Sequence, residues 1–290
     1  MKPAADSAPV APGFISLHGG HSGQFCEHAV DLLAEIVEAY WHRGAAVVGF
    51  TEHMAPLGDQ FLYPDEVAAG WDAAGLQKRF EFYFQTCRAL KEQYAGQMEI
   101  LVAFETETYS GSEAFIRQLL EQYRPDYFVG SLHHVGDQGF DFSPADYRVL
   151  VDSVGGIEAL YCRYFDEQYD MIKALQPAVV GHFDLIRVYD PDYSERWRQG
   201  DIWQRVERNL DLVQRLGLIL DFNLGGFDKA GGEQFPCRPI LAAAIERGIA
   251  LVPGDDSHGV GTVGRHFDRG VALLRELGAD MEWRLPGKMG

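Results

Sequence analysis

The chain has 290 residues, 47% of them hydrophobic and 23% charged, a balance that fills a sizeable core and excludes disorder over most of the length. With 25 basic against 43 acidic residues the net charge is -18, which excludes a nucleic-acid backbone or an anionic membrane surface as the natural partner and favours a small substrate, bound cations or both. No apolar run reaches the roughly eighteen residues of a membrane span.

Residues 1–12 are rich in Ala and Pro without the basic start and apolar stretch of a signal peptide, and read as a short disordered lead to one domain over 13–290. Seven short apolar, β-branched runs follow: Phe14–Leu17, Ala46–Phe50, Ile100–Phe104, Tyr127–Leu132, Ala178–His182, Leu218–Asn223 and Ile249–Pro253. Amphipathic helical patterns alternate with them at Ala29–His42, Arg79–Tyr94, Glu113–Tyr123, Ile157–Leu175, Ile202–Leu216, Pro239–Arg247 and Arg265–Leu277, several followed by a terminating glycine. Repeated βα units of this kind predict an α/β fold with a parallel sheet. Long connections at Met54–Lys78, Gly136–Pro144 and Leu224–Arg238 are expected to wall a site. Cys26, Cys87, Cys162 and Cys237 are scattered, with no paired spacing, and read as buried reduced thiols of a cytoplasmic protein.

The chemistry lies in where the ionisable residues fall. His18 and His21 follow the first strand, with His28 shortly after; His53 follows the second and Glu105 the third. His133 ends the fourth, His182 ends the fifth, and Asp256 and His258 follow the seventh. In a closed βα barrel all these strand ends meet on one face. Seven imidazoles and two carboxylates gathered there would repel if protonated and be poorly solvated if buried neutral, unless cations lay among them. Nine such ligands exceed one tetrahedral site, so two or three divalent ions are expected, with zinc, iron or manganese suiting this donor set.

The segments HGGHSGQFCEHA, GFTEHMAP, LVAFETE, VGSLHHVG, VVGHFDLIR and PGDDSHGVGTVG, in that order, resemble the successive motifs of the polymerase-and-histidinol-phosphatase (PHP) family, especially its histidinol-phosphatase branch through GSLHHVG and GHFDLIR. The resemblance runs from about Phe14 to Phe267. It implies a distorted seven-stranded (β/α) barrel with a trinuclear metal site. By motif position, one ion is held by the first His pair, Glu105 and Asp256, a second by Glu105, His133 and His182, and a third by His28, His53 and His258. It further implies a phosphomonoesterase converting L-histidinol phosphate to L-histidinol and phosphate.

One departure stands out. The family opens with His-x-His, whereas His18 and His21 are separated by Gly19 and Gly20. Two strand-end residues three apart do not ordinarily face the same side. Either the glycines form a bulge that swings His18 inward, the reading adopted here, or one ion has lost a protein ligand.

Attack by a hydroxide bridging two metals is the expected chemistry, since cations lower the pKa of water. Glu105 and His182 are then catalytic through the metals. Asp184, two positions after His182, is the candidate acid for the leaving alcohol, or a residue orienting His182. Arg163 and Arg187 are candidates for gripping phosphate, and Asp59, Asp65, Glu66 or Glu107 for a cationic substrate group. His134 should pack on the side opposite His133, His42 should sit near a helix C-terminus, and His266 should lie on the surface. A nucleotide-directed PHP phosphoesterase and a non-catalytic metal-binding module are the rival readings.

Overall fold

The computed structural model describes residues 13–287, so the expectation for the lead at 1–12 lies outside the described residues. All seven expected strands form, most of them shorter than the apolar runs that carry them. They are β1 (Ile15–Ser16), β2 (Val47–Phe50), β3 (Glu99–Val102), β4 (Val129–Gly130), β7 (Val179–Val180), β8 (Ile219–Asn223) and β9 (Ala250–Gly254). A small antiparallel hairpin, β5 (His134–Val135) with β6 (Gln138–Gly139), is added between β4 and β7.

The parallel strands pair as β1-β2-β3 and as β4-β7-β8-β9. Both seams between these sheets are bonded. Glu105 bridges to Val129, and the Val129 amide donates to Phe104 O at 2.9 Å. At the other margin the Leu17 amide donates to Pro253 O at 2.9 Å and the Asp256 amide to His18 O at 2.9 Å. The strands therefore run in sequence round a closed, distorted α/β barrel. Its interior is filled by Ile15, Leu17, Val47, Ala103, Tyr127, Val129, Val179, Ile219 and Val252, the branched side chains that fit a pleated, doubly covered surface. Tyr127 spans this interior, and its hydroxyl donates to Leu17 O at 2.6 Å.

Outside the ring lie α1 (Leu33–His42), α2 (Pro64–Ala68), α3 (Ala73–Gln93), α4 (Ser112–Tyr123), α5 (Pro144–Ser153), α6 (Ile157–Leu175), α7 (Tyr193–Arg196), α8 (Gly200–Leu216), α9 (Arg238–Glu246) and α10 (Phe267–Glu276). Two boundaries differ from expectation for local reasons. The first helix begins at Leu33 rather than Ala29, because Asp31 is left-handed at φ 67° and the Val30 amide donates to His258 O. The third begins at Ala73 because the Asp72 carboxylate accepts from the Gly75 amide at 2.7 Å, an N-cap contributing about 1 kcal/mol. Helix α5 was not expected. Ser143 caps it and Pro144 opens it. No helix among the described residues is long and apolar enough to cross a membrane, and all four cysteines are free thiols.

Candidate metal centre

The segment after β1 shows how His-x-x-His reaches one pocket. Gly19 and Gly20 take φ 147° and 77°, a left-handed pair that costs L side chains but not glycine. Their amides are held by the Thr51 and Ser257 hydroxyls at 2.9 and 3.0 Å, and a Cβ on Gly20 would lie 2.3 Å from the Phe50 ring. The bulge turns both imidazoles inward. His18 Nε2 lies 3.1 Å from Glu105 Oε1, and His21 Nε2 lies 3.5 Å from Asp256 Oδ1 and 3.9 Å from Glu105 Oε2.

Glu105, only 1% exposed, is the hub. Its Oε1 has the Nε2 atoms of His18, His133 and His182 at 3.1, 3.1 and 2.8 Å, while Oε2 has His53 Nδ1 at 3.5 Å. His258 stacks on His21 with ring centroids 4.4 Å apart, and His28 sits 5.3 Å from His53 and 5.1 Å from His258. All nine residues expected to gather do so. The side-chain nitrogens and oxygens of eight of them converge within 4.8 Å in overlapping sets, His18–Glu105–His182, His18–His21–Asp256, His53–Glu105–His133 and His21–His53–His258, and His28 joins through a set with His53 and Cys26.

The imidazole nitrogens test whether cations fit here. His18 Nε2, His21 Nε2, both nitrogens of His53 and His182 Nδ1 are buried without a hydrogen-bond partner. Such orphans cost free energy unless something binds them, and nitrogen lone pairs beside two carboxylates form a donor set that divalent cations satisfy.

A second layer of acids backs the imidazoles, and sequence reading missed most of it. His18 Nδ1 donates to Asp221 at 2.7 Å and His133 Nδ1 to Asp141 at 2.8 Å; Glu52 lies 3.3 Å from His21 Nδ1, and Glu107 lies 3.2 Å from His53 Nδ1. Acids placed in this way orient the imidazoles and raise their basicity. Burial opposes charge on His53, yet the facing Glu105 and Glu107 push its pKa up to about 9. Burial is likewise outweighed at His18 by Glu105 and Asp221, and at His133 by Glu107 and Asp141, so both are raised. His21 and His258 go the other way, lowered by burial and by neighbouring imidazoles. Burial also opposes ionisation of Glu105, but His18, His133 and His53 hold its pKa well below the usual carboxylate range.

Three expected contributors lie elsewhere. Asp184 is fully buried and accepts from Arg187 Nε at 2.9 Å and from the Cys237 amide at 2.9 Å. Arg187, 2% exposed, spends its other donors on Glu233 O and Gln234 O and stacks on Phe235. This pair clamps the loop before α9. Arg163 pairs with Glu167 on α6 and lines a separate groove with Ser110 and Gly136. His134 is buried 3.4 Å from Glu107, with Tyr63 and Tyr109 beside its ring. His42 is exposed on α1 beside Glu38. His266 is less exposed than expected, bonding Asp228 at 2.7 Å.

The centre opens into a cleft lined by Tyr63, Asp141, Phe142, Leu185, Tyr189, Lys229 and Phe235, mainly from the long connections. Among the described residues, Lys229 is the only Lys or Arg in that lining.

Comparison with known proteins gives the same picture over nearly the whole length. The PHP domain family matches residues 18–224. A Schizosaccharomyces pombe protein named "Probable histidinol-phosphatase" is 35% identical over 91% of this chain and 87% of its own. The histidinol-phosphatase of Bacillus subtilis is 30% identical over 84% of this chain and 94% of its own. A crystal structure of a candidate histidinol phosphatase, hisK, from Listeria monocytogenes superposes with a TM-score of 0.78 at 27% identity, covering 88% of this chain and 99% of that one. The barrel, the strand-end cluster of imidazoles and acids, and these full-length likenesses together make the chain a member of the PHP domain family.

Proposed function

We propose that the chain is a metal-dependent phosphomonoesterase that hydrolyses L-histidinol phosphate to L-histidinol and phosphate, using two or three divalent ions of zinc, iron or manganese. The observation that carries this reading is Glu105 Oε1 with three imidazoles at 2.8–3.1 Å, at the base of a cleft in a chain whose full-length relatives bear that enzyme's name.

His18, His21, Glu105 and Asp256 would hold one ion; Glu105, His133 and His182 a second; His28, His53 and His258 a third. Bound there, such ions supply positive charge for the phosphate oxygens and acidify water to serve as nucleophile at neutral pH. The chain's own residues do the positioning. Asp221 and Asp141 fix His18 and His133 through their Nδ1 hydrogens, keeping each Nε2 turned to Glu105. Lys229, exposed on its loop, is the side chain placed to meet a phosphate dianion entering the cleft. Aromatic Tyr63, Phe142, Tyr189 and Phe235 beside Asp141 suit an organic cation such as the amino-alcohol.

A phosphate-release panel tests this: histidinol phosphate, mononucleotides and short single strands, with elemental analysis of the same preparation. Histidinol phosphate should be turned over best, and chelator should abolish activity. Nucleotides winning by about tenfold would move the substrate assignment, and a protein without bound ions or turnover would remove the enzyme reading.

A further inference from the structure

His28 has a neighbour that imidazoles and carboxylates alone do not account for. Cys26 Sγ lies 3.3 Å from its Nδ1 and 3.2 Å from its Nε2. That sulfur and the ligating nitrogens of His28 and His53 all fall within 4.8 Å of one another. Backbone bonds fix the sulfur's position: the Cys26 amide donates to Ser22 O at 2.8 Å, and the Gly23 amide to Asp31 O at 3.0 Å. Asp65 lies 3.7 Å from His28 Nδ1. Both nitrogens of His53 are buried and unpartnered, and Cys26 is only 7% exposed.

Charge gives a second reason to look here. Glu105 and Asp256 serve the first two ion positions, but His28, His53 and His258 are all neutral donors. A dication held by neutral ligands alone keeps its full charge, which is costly on the side of the site that Cys26 and His53 close off from water, although His28 itself is exposed. A thiolate both lowers that charge and offers a soft donor that favours zinc over magnesium or manganese.

We propose that Cys26 is a ligand of the ion held at His28 and His53, binding through sulfur and releasing its proton to solvent as it does so. The proposal rests on the metal-centre reading above. Cys87 and Cys237 are equally buried but belong to none of the ligand clusters, which makes them internal controls.

The test uses chelator-stripped full-length protein titrated with cobalt(II) and, separately, cadmium(II), read by ultraviolet absorption and by bound metal per chain. Wild type should develop a sulfur-to-metal charge-transfer band as the last equivalent binds. A variant keeping only Cys26 (Cys87→Ser, Cys162→Ser, Cys237→Ser) should retain the band. Cys26→Ser should lose it and bind that equivalent at least about 10-fold more weakly, the scale on which even outer partners of a metal act. Wild type that fills with ions yet shows no sulfur band overturns the proposal while leaving the metal centre standing. A band that persists in Cys26→Ser also overturns it. Wild type that takes up no ions sinks both readings, and the outcomes read on wild type and on the variant keeping only Cys26 do not depend on Cys26→Ser folding well.

Discussion

Replacing Asp221 by asparagine isolates what a buried acid does for a metal ligand it never shares. Asp221 is fully buried on β8, and its Oδ2 accepts from His18 Nδ1 at 2.7 Å, from the His182 amide at 3.2 Å and from Asn223 Nδ2 at 3.1 Å. Asparagine has the same shape and keeps an oxygen for those donors, so His18 stays oriented and only the negative charge behind it goes. Loss of an outer partner of a metal-binding histidine weakens the metal by roughly 10- to 100-fold. With the orienting bond retained, Asp221→Asn belongs at the lower end, about 10-fold or about 1.4 kcal/mol. Alanine removes the bond as well, which moves the loss towards about 100-fold and leaves the His18 and His182 N–H groups unpaired, at about 1–3 kcal/mol of stability each. Competition against a chromophoric chelator reads both affinities, with thermal unfolding of the metal-free proteins alongside. Wild-type affinity, within twofold, in both variants would refute the idea that Asp221 tunes the centre through His18.

Glu105→Gln should lower turnover by on the order of 10³ or more, since the hub carboxylate is lost to several ligand sets at once; exposed His42→Gln serves as the unaffected control, and near-wild-type kcat in the Glu105 variant would contradict the hub assignment. Metal uptake should release protons at pH 7, because His53, with its pKa up at about 9, and the raised His18 and His133 hold protons that an entering cation must displace. Apparent affinity should therefore climb as pH rises towards about 9 and fall as pH drops, and calorimetry in buffers of different ionisation heat would expose an absent proton release. Gly20→Ala should destabilise by at least about 1–2 kcal/mol from its left-handed φ alone, with the clash against Phe50 added, and should release metal as His18 swings away; unchanged unfolding temperature and metal content would mean the bulge is dispensable.

The strands were readable because a parallel sheet covered on both faces needs continuous branched apolar runs, and Val47–Phe50 or Ile219–Asn223 can hardly be anything else. The clustered histidines were readable for the same reason: most stand just past a strand, where a barrel collects them. The backing acids left weaker traces. Asp221 offered one, a lone carboxylate in the apolar run Leu218–Asn223, where an unpaired charge is costly. Asp141 and Glu107 lie in connections where acids are common, so nothing in their spacing marked them out. The partners of Asp184 and Arg187 could not be read, because a position close to His182 in sequence does not fix direction. The turn after β7 is a short helical one, and it points Asp184 at Arg187 and the Cys237 amide. Cys26 was hidden by its residue type, since most isolated cysteines are core packing.

The bond between Leu17 and Pro253 joins the first strand to the last, and the proposed ligands on either side of that seam, His18 and Asp256, are 238 positions apart in the chain. The proposed ion position at His18, His21, Glu105 and Asp256 would therefore not be complete until the final strand has been made and has closed the circle. A truncation after β8 would keep Glu105, His133 and His182 but lose Asp256 and His258, so full loading of the proposed centre would double as a readout of finished synthesis and correct closure.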